Sequence, residues 1–346
     1  MGDMANIAIN GFGRIGRAFF KLALTRPELN IVAINDLGDP ENLAYLLRYD
    51  SAYGRYGKDV SVQSSDDTKL LKVGSQSVLF LQEKDPTKLP WGDLKVDVVV
   101  EATGVFTKYE QAKFHIDAGA KRVVLTAPAK DDDGPDARTV LMGVNEDDLK
   151  TCTLSSNGSC TTNSASPVLQ ILSETVGVEK AFLNTTHGYT ATQALIDGPT
   201  KGKDYRKGRA AAANIIPSTT GSAIAVGRAV TAVTDKFDGI AMRIPVLTGS
   251  LSSIVFLSSR ETTPEEINDV FRKAEKEKRW KGIFKTTDEQ LVSSDIVGDP
   301  YAAIVDTGLT KVVDGNLCAV YSWYDNEFGY TNTLVEHVVK VTEALE

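Results

Sequence analysis

The chain has three cysteines, and one of them, Cys160, stands in the stretch SNGSCTTN beside Ser159, Thr161, Thr162 and Asn163. A free cysteine is most often a small buried hydrophobe. Here hydroxyls and amides surround it instead of an apolar run, which points to a thiol that does chemistry. A thiol of ordinary pKa, about 8.5, is only a few per cent thiolate at neutral pH, so a nucleophile needs a helix N-terminus, a histidine or a cation beside it. The spacing of Val168, Leu169, Leu172 and Val176 predicts a helix after Cys160. Pro167 leaves two starts open: near Cys160 with a proline inside, or near Ser166 with the proline in the first turn. Only the first puts the positive end of the helix at the thiol. Of the three histidines, His115 falls in the helical stretch YEQAKFHIDAGA and His337 in the last helix, whereas His187 ends a strand-like run before Gly188. His187 is the candidate base, and its spacing alone leaves a structural role open as well.

A second constellation lies near the N-terminus. Gly11, Gly13 and Gly16 form G-x-G-x-x-G directly after the strand-like Ile7 and Ile9 and before a helix face of Ile15, Phe19, Leu22 and Ala23. In such a turn the first glycine allows the bend, the second lets the backbone approach a pyrophosphate, and the third lets helix and strand pack closely. The helix N-terminus adds free N–H groups and a positive dipole end. Asp36 follows the next strand, IVAIND, where a carboxylate accepts from ribose hydroxyls. Its charge opposes the extra phosphate of NADP, so the expected cofactor is NAD. A tight turn and a capping aspartate are the plainer alternative.

These residues need a frame to hold them. At 346 residues the chain is long for a single core, and two domains are expected. Val and Ile runs such as VDVVVEATG and KRVVLTAPA alternate with helices over residues 1–159, the pattern of a doubly wound parallel sheet. After Cys160, AFLNTTHGYT, GIAMRIPV and SLSSIVFLSSR read as longer strands, with a helix predicted over TPEEINDVFRKAEKEKR. The second domain is therefore expected to be α+β with a largely antiparallel sheet. A net charge of −8 disfavours non-specific nucleic-acid binding, so an anionic substrate needs its own arginines. The start MGDMANIAIN lacks the pattern of a secretory signal, and no run is apolar enough to span a bilayer. A cytoplasmic protein is expected, with Cys152, Cys160 and Cys318 as free thiols and no bound metal.

INGFGRIGR, SNGSCTTN, HGYTATQ, RAAAANIIPSTTG, MRIPV and SWYDNEFGY, in this order over nearly the whole chain, resemble the phosphorylating glyceraldehyde-3-phosphate dehydrogenases. The resemblance implies an α/β fold. A Rossmann-type NAD-binding domain would cover residues 1–159, completed by the C-terminal helix 326–346, with an α+β catalytic domain over 160–325. It further implies a homotetramer acting on a small phosphorylated aldehyde with NAD and inorganic phosphate, through a cysteine hemithioacetal and thioester. Carried over by motif, Cys160 is the nucleophile and His187 its base. Ser159, Thr161, Thr220 and Gly221 match the site of the attacking phosphate, and Thr190, Thr192 and Arg243 that of the substrate phosphate. Arg14, Ile15, Thr103, Thr126 and Asn326 match cofactor contacts, together with Gly11, Gly13, Gly16 and Asp36, and Tyr330 matches an aromatic near the nicotinamide.

The departures are few. Gly158 stands where alanine is common, Phe328 where tryptophan is, and Ile224 where lysine is; PVLTGSLSS also differs from the usual run and bears more on subunit contacts than on catalysis. Arg206 and Arg209 are further anion candidates or loop-bracing ion pairs. Three other readings compete: an erythrose-4-phosphate dehydrogenase of the same family, a non-catalytic NAD-binding scaffold, and a cysteine hydrolase that would leave the glycine turn without a use.

Overall fold

The Val and Ile runs become strands whose two faces are both covered, as at Ile7, Ile9, Val98, Val99 and Val100, all fully buried. A computed structural model describes residues 4–65, 68–200 and 202–345. Met1, Gly2 and Asp3, part of the start read as lacking a secretory signal, and Glu346 of the expected last helix lie outside the described residues. The chain forms two compact units, one from the described residues of 1–140, 146–157 and 334–346, the other from those of 141–145 and 158–333. No helix among the described residues is long and apolar enough to cross a membrane.

The first unit opens with β1 (Ala5–Asn10), α1 (Arg14–Ala23), β2 (Leu29–Asn35), α2 (Pro40–Arg48) and a short hairpin of β3 (Tyr49–Asp50) and β4 (Gly54–Arg55). It continues through β5 (Val60–Ser65), β6 (Thr68–Val73), β7 (Gln76–Leu81), β8 (Val98–Glu101), α3 (Tyr109–Asp117), β9 (Arg122–Leu125), β10 (Ala137–Thr139) and β11 (Leu154–Ser156). The sheet order is β10-β11-β9-β8-β1-β2-β7-β6-β5. Pairing is parallel from β10 to β7 and antiparallel through β7, β6 and β5. From β1 the chain turns to β2 on one side and later returns as β8 on the other. The crevice at such a reversal is where open α/β sheets bind ligands. Ala8, Ala33, Val99, Val123, Trp91 and Ala112 lie together in the core on one face.

The second unit opens with α4 (Cys160–Thr175), β12 (Lys180–Gly188), β13 (Ile216–Thr219), α5 (Ser222–Ala229), β14 (Phe237–Ile244) and β15 (Ser250–Leu257). It closes with α6 (Pro264–Ala274), β16 (Phe284–Thr287), β17 (Ala303–Asp306), β18 (Lys311–Val313) and β19 (Leu317–Tyr324). The sheet runs β13-β14-β12-β15-β19-β17-β16, with β18 also on β19. Only β12–β14 and β16–β17 pair in parallel, so the sheet is largely antiparallel. The helix predicted over TPEEINDVFRKAEKEKR stops at Ala274. Beyond it Trp280 is fully buried and Arg279 pairs with Glu174 and Glu277, which folds the charged run into a turn. The last helix, α7 (Phe328–Glu343), begins in the second unit and ends in the first.

Candidate active site

Cys160 is the first residue of α4, so the helix begins at the thiol and carries Pro167 inside it, the first of the two starts left open by the sequence. Ser159 caps it: its Oγ accepts from the Thr162 N–H at 3.0 Å while Thr162 Oγ1 accepts from the Ser159 N–H at 3.1 Å. Such a reciprocal cap fixes the entry of the chain into the helix. Gly158 reaches this turn with φ +63, a region glycine enters freely and alanine does not. A Cβ there would also lie 2.9 Å from Thr162 Cγ2.

His187 enters from β12. Its Nε2 is 3.3 Å from Cys160 Sγ, and its Nδ1 is 2.7 Å from the Gly188 carbonyl oxygen and 2.6 Å from Arg243 Nη1. His187 and Arg243 are register partners on the parallel strands β12 and β14, which brings the guanidinium to the ring. With the proton on Nδ1 the carbonyl is satisfied and Nε2 accepts from the thiol; with it on Nε2, Nδ1 accepts from Arg243. Both hydrogen-bonding states are open to the imidazole. Burial, and after it the Arg243 charge, push the His187 pKa down to about 3. Loss of water pushes the Cys160 thiol up, against the pull of Arg243 and of hydrogen bonds from the first turn of α4. Both shifts favour the neutral thiol and the neutral imidazole. The Tyr324 ring meets His187 edge-on at 5.9 Å, and its hydroxyl bonds Thr161 Oγ1 at 3.0 Å and Thr185 Oγ1 at 2.7 Å.

The hydroxyls fall into separate groups. Ser159 and Thr220 are linked through Ser222, whose Oγ is 2.9 Å from Ser159 Oγ and 2.7 Å from Thr220 Oγ1, and Gly221 is the exposed N-cap of α5. Thr161 does not join them, because its buried hydroxyl turns to Tyr324. What Thr161 offers an anion is its N–H in the first turn of α4. Thr190 Oγ1 and Thr192 Oγ1 are 2.8 Å apart and both are held by the buried Gln193. Arg206 and Arg209 pair with Asp204 and Asp197, the loop-bracing alternative. Asn326 Oδ1 accepts from Ser250 and Thr248, leaving its amide to donate. Tyr330 is buried with its hydroxyl donating to the Gly158 carbonyl.

In the first unit the glycine turn sits at the reversal point of the sheet. Gly11 has φ +98, and a Cβ on it would lie 2.6 Å from Ala102 C and Thr103 N; one on Gly16 would fall 2.1 Å from the Gly11 carbonyl oxygen. Gly13 is exposed, with nothing within 4 Å of a Cβ position. Asp36 accepts from the Phe12 N–H at 2.6 Å and the Gly38 N–H at 2.7 Å. Arg14, followed by the half-buried Ile15, pairs with Asp50 at 2.9 Å. Thr103 donates its N–H and hydroxyl to Glu101, and the Thr126 N–H bonds the Glu101 carbonyl.

A family model described as the NAD-binding domain of glyceraldehyde 3-phosphate dehydrogenase matches residues 5–109, and one described as its C-terminal domain matches 159–326. The glyceraldehyde-3-phosphate dehydrogenases of Streptomyces coelicolor and Mycobacterium avium are each 45% identical to the chain, and that of Mycobacterium tuberculosis H37Rv 46%. Each alignment covers 98% of this chain and 99% of the relative. The chain belongs to the glyceraldehyde-3-phosphate dehydrogenase family. It is an NAD-dependent oxidoreductase. The glycine turn suits this family's cofactor: the open face of Gly13 leaves room for a pyrophosphate, and each Asp36 oxygen keeps a second lone pair for a ribose hydroxyl.

The remaining cysteines and histidines fill structural places in this family member. Cys152 and Cys318 are buried, and burial pushes Cys152 up to about 11. His115 joins Trp91 Nε1 at 3.0 Å to Glu101 Oε2 at 3.0 Å, and Asn10 also donates to that carboxylate at 2.6 Å. His337 lies between Ser155 Oγ at 2.8 Å and Asn157 Oδ1 at 3.1 Å. Sequence reasoning passed over Gln193, Tyr324, Ser222 and Glu101. Glu101 carried a signal, a lone acid closing the apolar run VDVVVE. Gln193 and Tyr324 lay inside quoted motifs without a chemical role assigned to them.

Proposed function

We propose that the chain oxidises D-glyceraldehyde 3-phosphate, with NAD and inorganic phosphate, to 1,3-bisphosphoglycerate. The observation that carries this reading is the 3.3 Å contact between Cys160 Sγ and His187 Nε2 at the start of α4. Cys160 sulfur bonds the aldehyde carbon while the thiol proton passes to His187 Nε2, giving a hemithioacetal. The first-turn N–H groups of α4 face the oxygen that gains charge. His187 returns that proton to the oxygen, completing the hemithioacetal hydroxyl, and takes it back as the hydride leaves. NAD, when bound, supplies the acceptor for the hydride that leaves the former aldehyde carbon. A thioester remains on Cys160. Ser159, Thr220, Gly221 and the Thr161 N–H hold inorganic phosphate, whose oxygen attacks the thioester carbonyl as the C–S bond breaks and Cys160 is freed.

Thr190, Thr192 and Arg243 hold the substrate phosphate, since hydroxyls and a forked guanidinium are the natural donors to its oxygens. Gly11, Gly13, Arg14, Ile15, Gly16, Asp36, Thr103, Thr126, Asn326 and Tyr330 make up the NAD site in this reading. Residues 1–159 with the C-terminal helix bind the cofactor, residues 160–325 carry catalysis, and the protein works as a cytoplasmic homotetramer; the resemblance over nearly the whole chain supports these assignments.

The test is NADH formation without phosphate. The acyl group should stay on Cys160, giving a burst of at most one equivalent per subunit, and added phosphate should restore turnover. Sustained NADH formation at the same rate in phosphate-free buffer would reject the phosphorylating reaction. Glyceraldehyde 3-phosphate should be preferred to erythrose 4-phosphate in kcat/KM.

A further inference from the structure

Ser222 is the first residue of α5 and is 1% exposed. Its Oγ bridges Ser159 Oγ (2.9 Å) and Thr220 Oγ1 (2.7 Å), and its own N–H donates to Thr220 Oγ1 at 3.1 Å. A hydroxyl has one hydrogen and two lone pairs. Ser159 Oγ already accepts from the Thr162 N–H and lies 2.8 Å from Thr162 Oγ1, so the bond to Ser222 fills its capacity. Ser159 and Thr220 are each partly accessible, whereas Ser222 is buried between them. The cap of α4 and the first turn of α5 are thus fastened to each other by one inaccessible hydroxyl.

We propose that Ser222 is a positioning residue for the attacking phosphate, fixing the spacing and direction of the Ser159 and Thr220 hydroxyls and yielding its Ser159 bond when a phosphate oxygen takes that place. The inference rests on the reading of Ser159 and Thr220 as phosphate donors. The Ser159–Ser222 bond is the exchangeable one, because the bonds to Thr162 belong to the helix cap and their loss would open the first turn that carries Cys160. Without the Ser222 hydroxyl, Ser159 would keep only its bonds to Thr162 and Thr220 only the Ser222 N–H, so nothing would hold the two hydroxyls toward each other, and that part of their ordering would fall to the phosphate itself.

The experiment compares wild type with Ser222→Ala and Ser222→Cys in steady state and in phosphate-free bursts. Loss of one ordering hydrogen bond should raise the phosphate KM about threefold to tenfold in Ser222→Ala. The thiol of Ser222→Cys, a weaker donor of similar size, should give a smaller rise. The aldehyde KM and the burst rate should stay within about twofold of wild type, which a general loosening of the fold would not permit. A phosphate KM unchanged in both variants, or an aldehyde KM and burst rate that shift together with it, would overturn the proposal. Wild-type turnover that needs no phosphate would instead remove the parent reading, and this inference with it.

Discussion

Arg243 Nη1 stands 2.6 Å from His187 Nδ1, while the other ring nitrogen of the same histidine faces the Cys160 sulfur at 3.3 Å. One guanidinium therefore has two tasks in the proposed reaction. It holds the substrate phosphate and it opposes protonation of the base. In that proposed reaction a bound phosphate dianion would offset the Arg243 charge and lift the basicity of His187 when a substrate is there to use it.

Arg243→Gln should raise the aldehyde KM by roughly 30-fold, the effect of about 2 kcal/mol lost with a charged partner. It should also move the acid limb of the burst rate to higher pH. The cation lowers the His187 pKa, so its removal raises that pKa, and the neutral base is lost earlier as pH falls. An acid limb at the wild-type position would show that Arg243 does not act through His187.

Cys160→Ala should abolish NADH formation and leave NAD binding intact, because the thiol is the only group in the pair able to bond the aldehyde carbon. Calorimetric titration with NAD checks the second half. Any appreciable NADH burst in this variant would exclude the covalent route.

Asp36→Ala should weaken NAD binding by about tenfold and improve NADP relative to it. The variant loses a ribose acceptor, a repelling charge, and the carboxylate that accepts from both the Phe12 and Gly38 N–H groups. Equal use of the two cofactors by the wild type would contradict the role given to Asp36.

Stability should fall with acid before most carboxylates titrate. Burial pushes His337 and His187 down to about 3 from an ordinary 6.5, so both are neutral when folded and take up protons when unfolded. Their contribution is complete above about pH 6.5 and is lost as pH falls towards 3, by at most about 1.4 kcal/mol per pH unit for each. Urea unfolding between pH 6.5 and 5 should be less pH-dependent in His337→Gln than in wild type. Equal slopes would mean that His337 is protonated in the folded protein.

The sheets and the motifs were legible because their signals are local. A short run of β-branched residues such as VVV in VDVVV favours a strand covered on both faces, and three glycines between a strand and a helix face leave few conformations. The α4 start was undecided because Pro167 is compatible with two helices; what decides it is the Ser159–Thr162 cap, a pair of side-chain bonds that hydrophobic spacing does not register. The hydroxyl groups were legible only as a set. Nothing in the order of Ser159, Thr161 and Thr220 tells that Tyr324, more than 100 residues beyond Thr220, claims the Thr161 side chain, or that Ser222 joins the other two.

The first unit is discontinuous in the chain, and its final piece includes His337, bound to Ser155 and Asn157, and Glu336, paired with Arg26. On the ribosome this piece emerges after residues 158–333, on the order of ten seconds or more at about 5–20 residues per second. The half of the protein that is translated first is therefore the half that is finished last. Until its closing helix arrives, the bonds from His337 to Ser155 and Asn157 cannot form, and the waiting time is set by the length of the second unit.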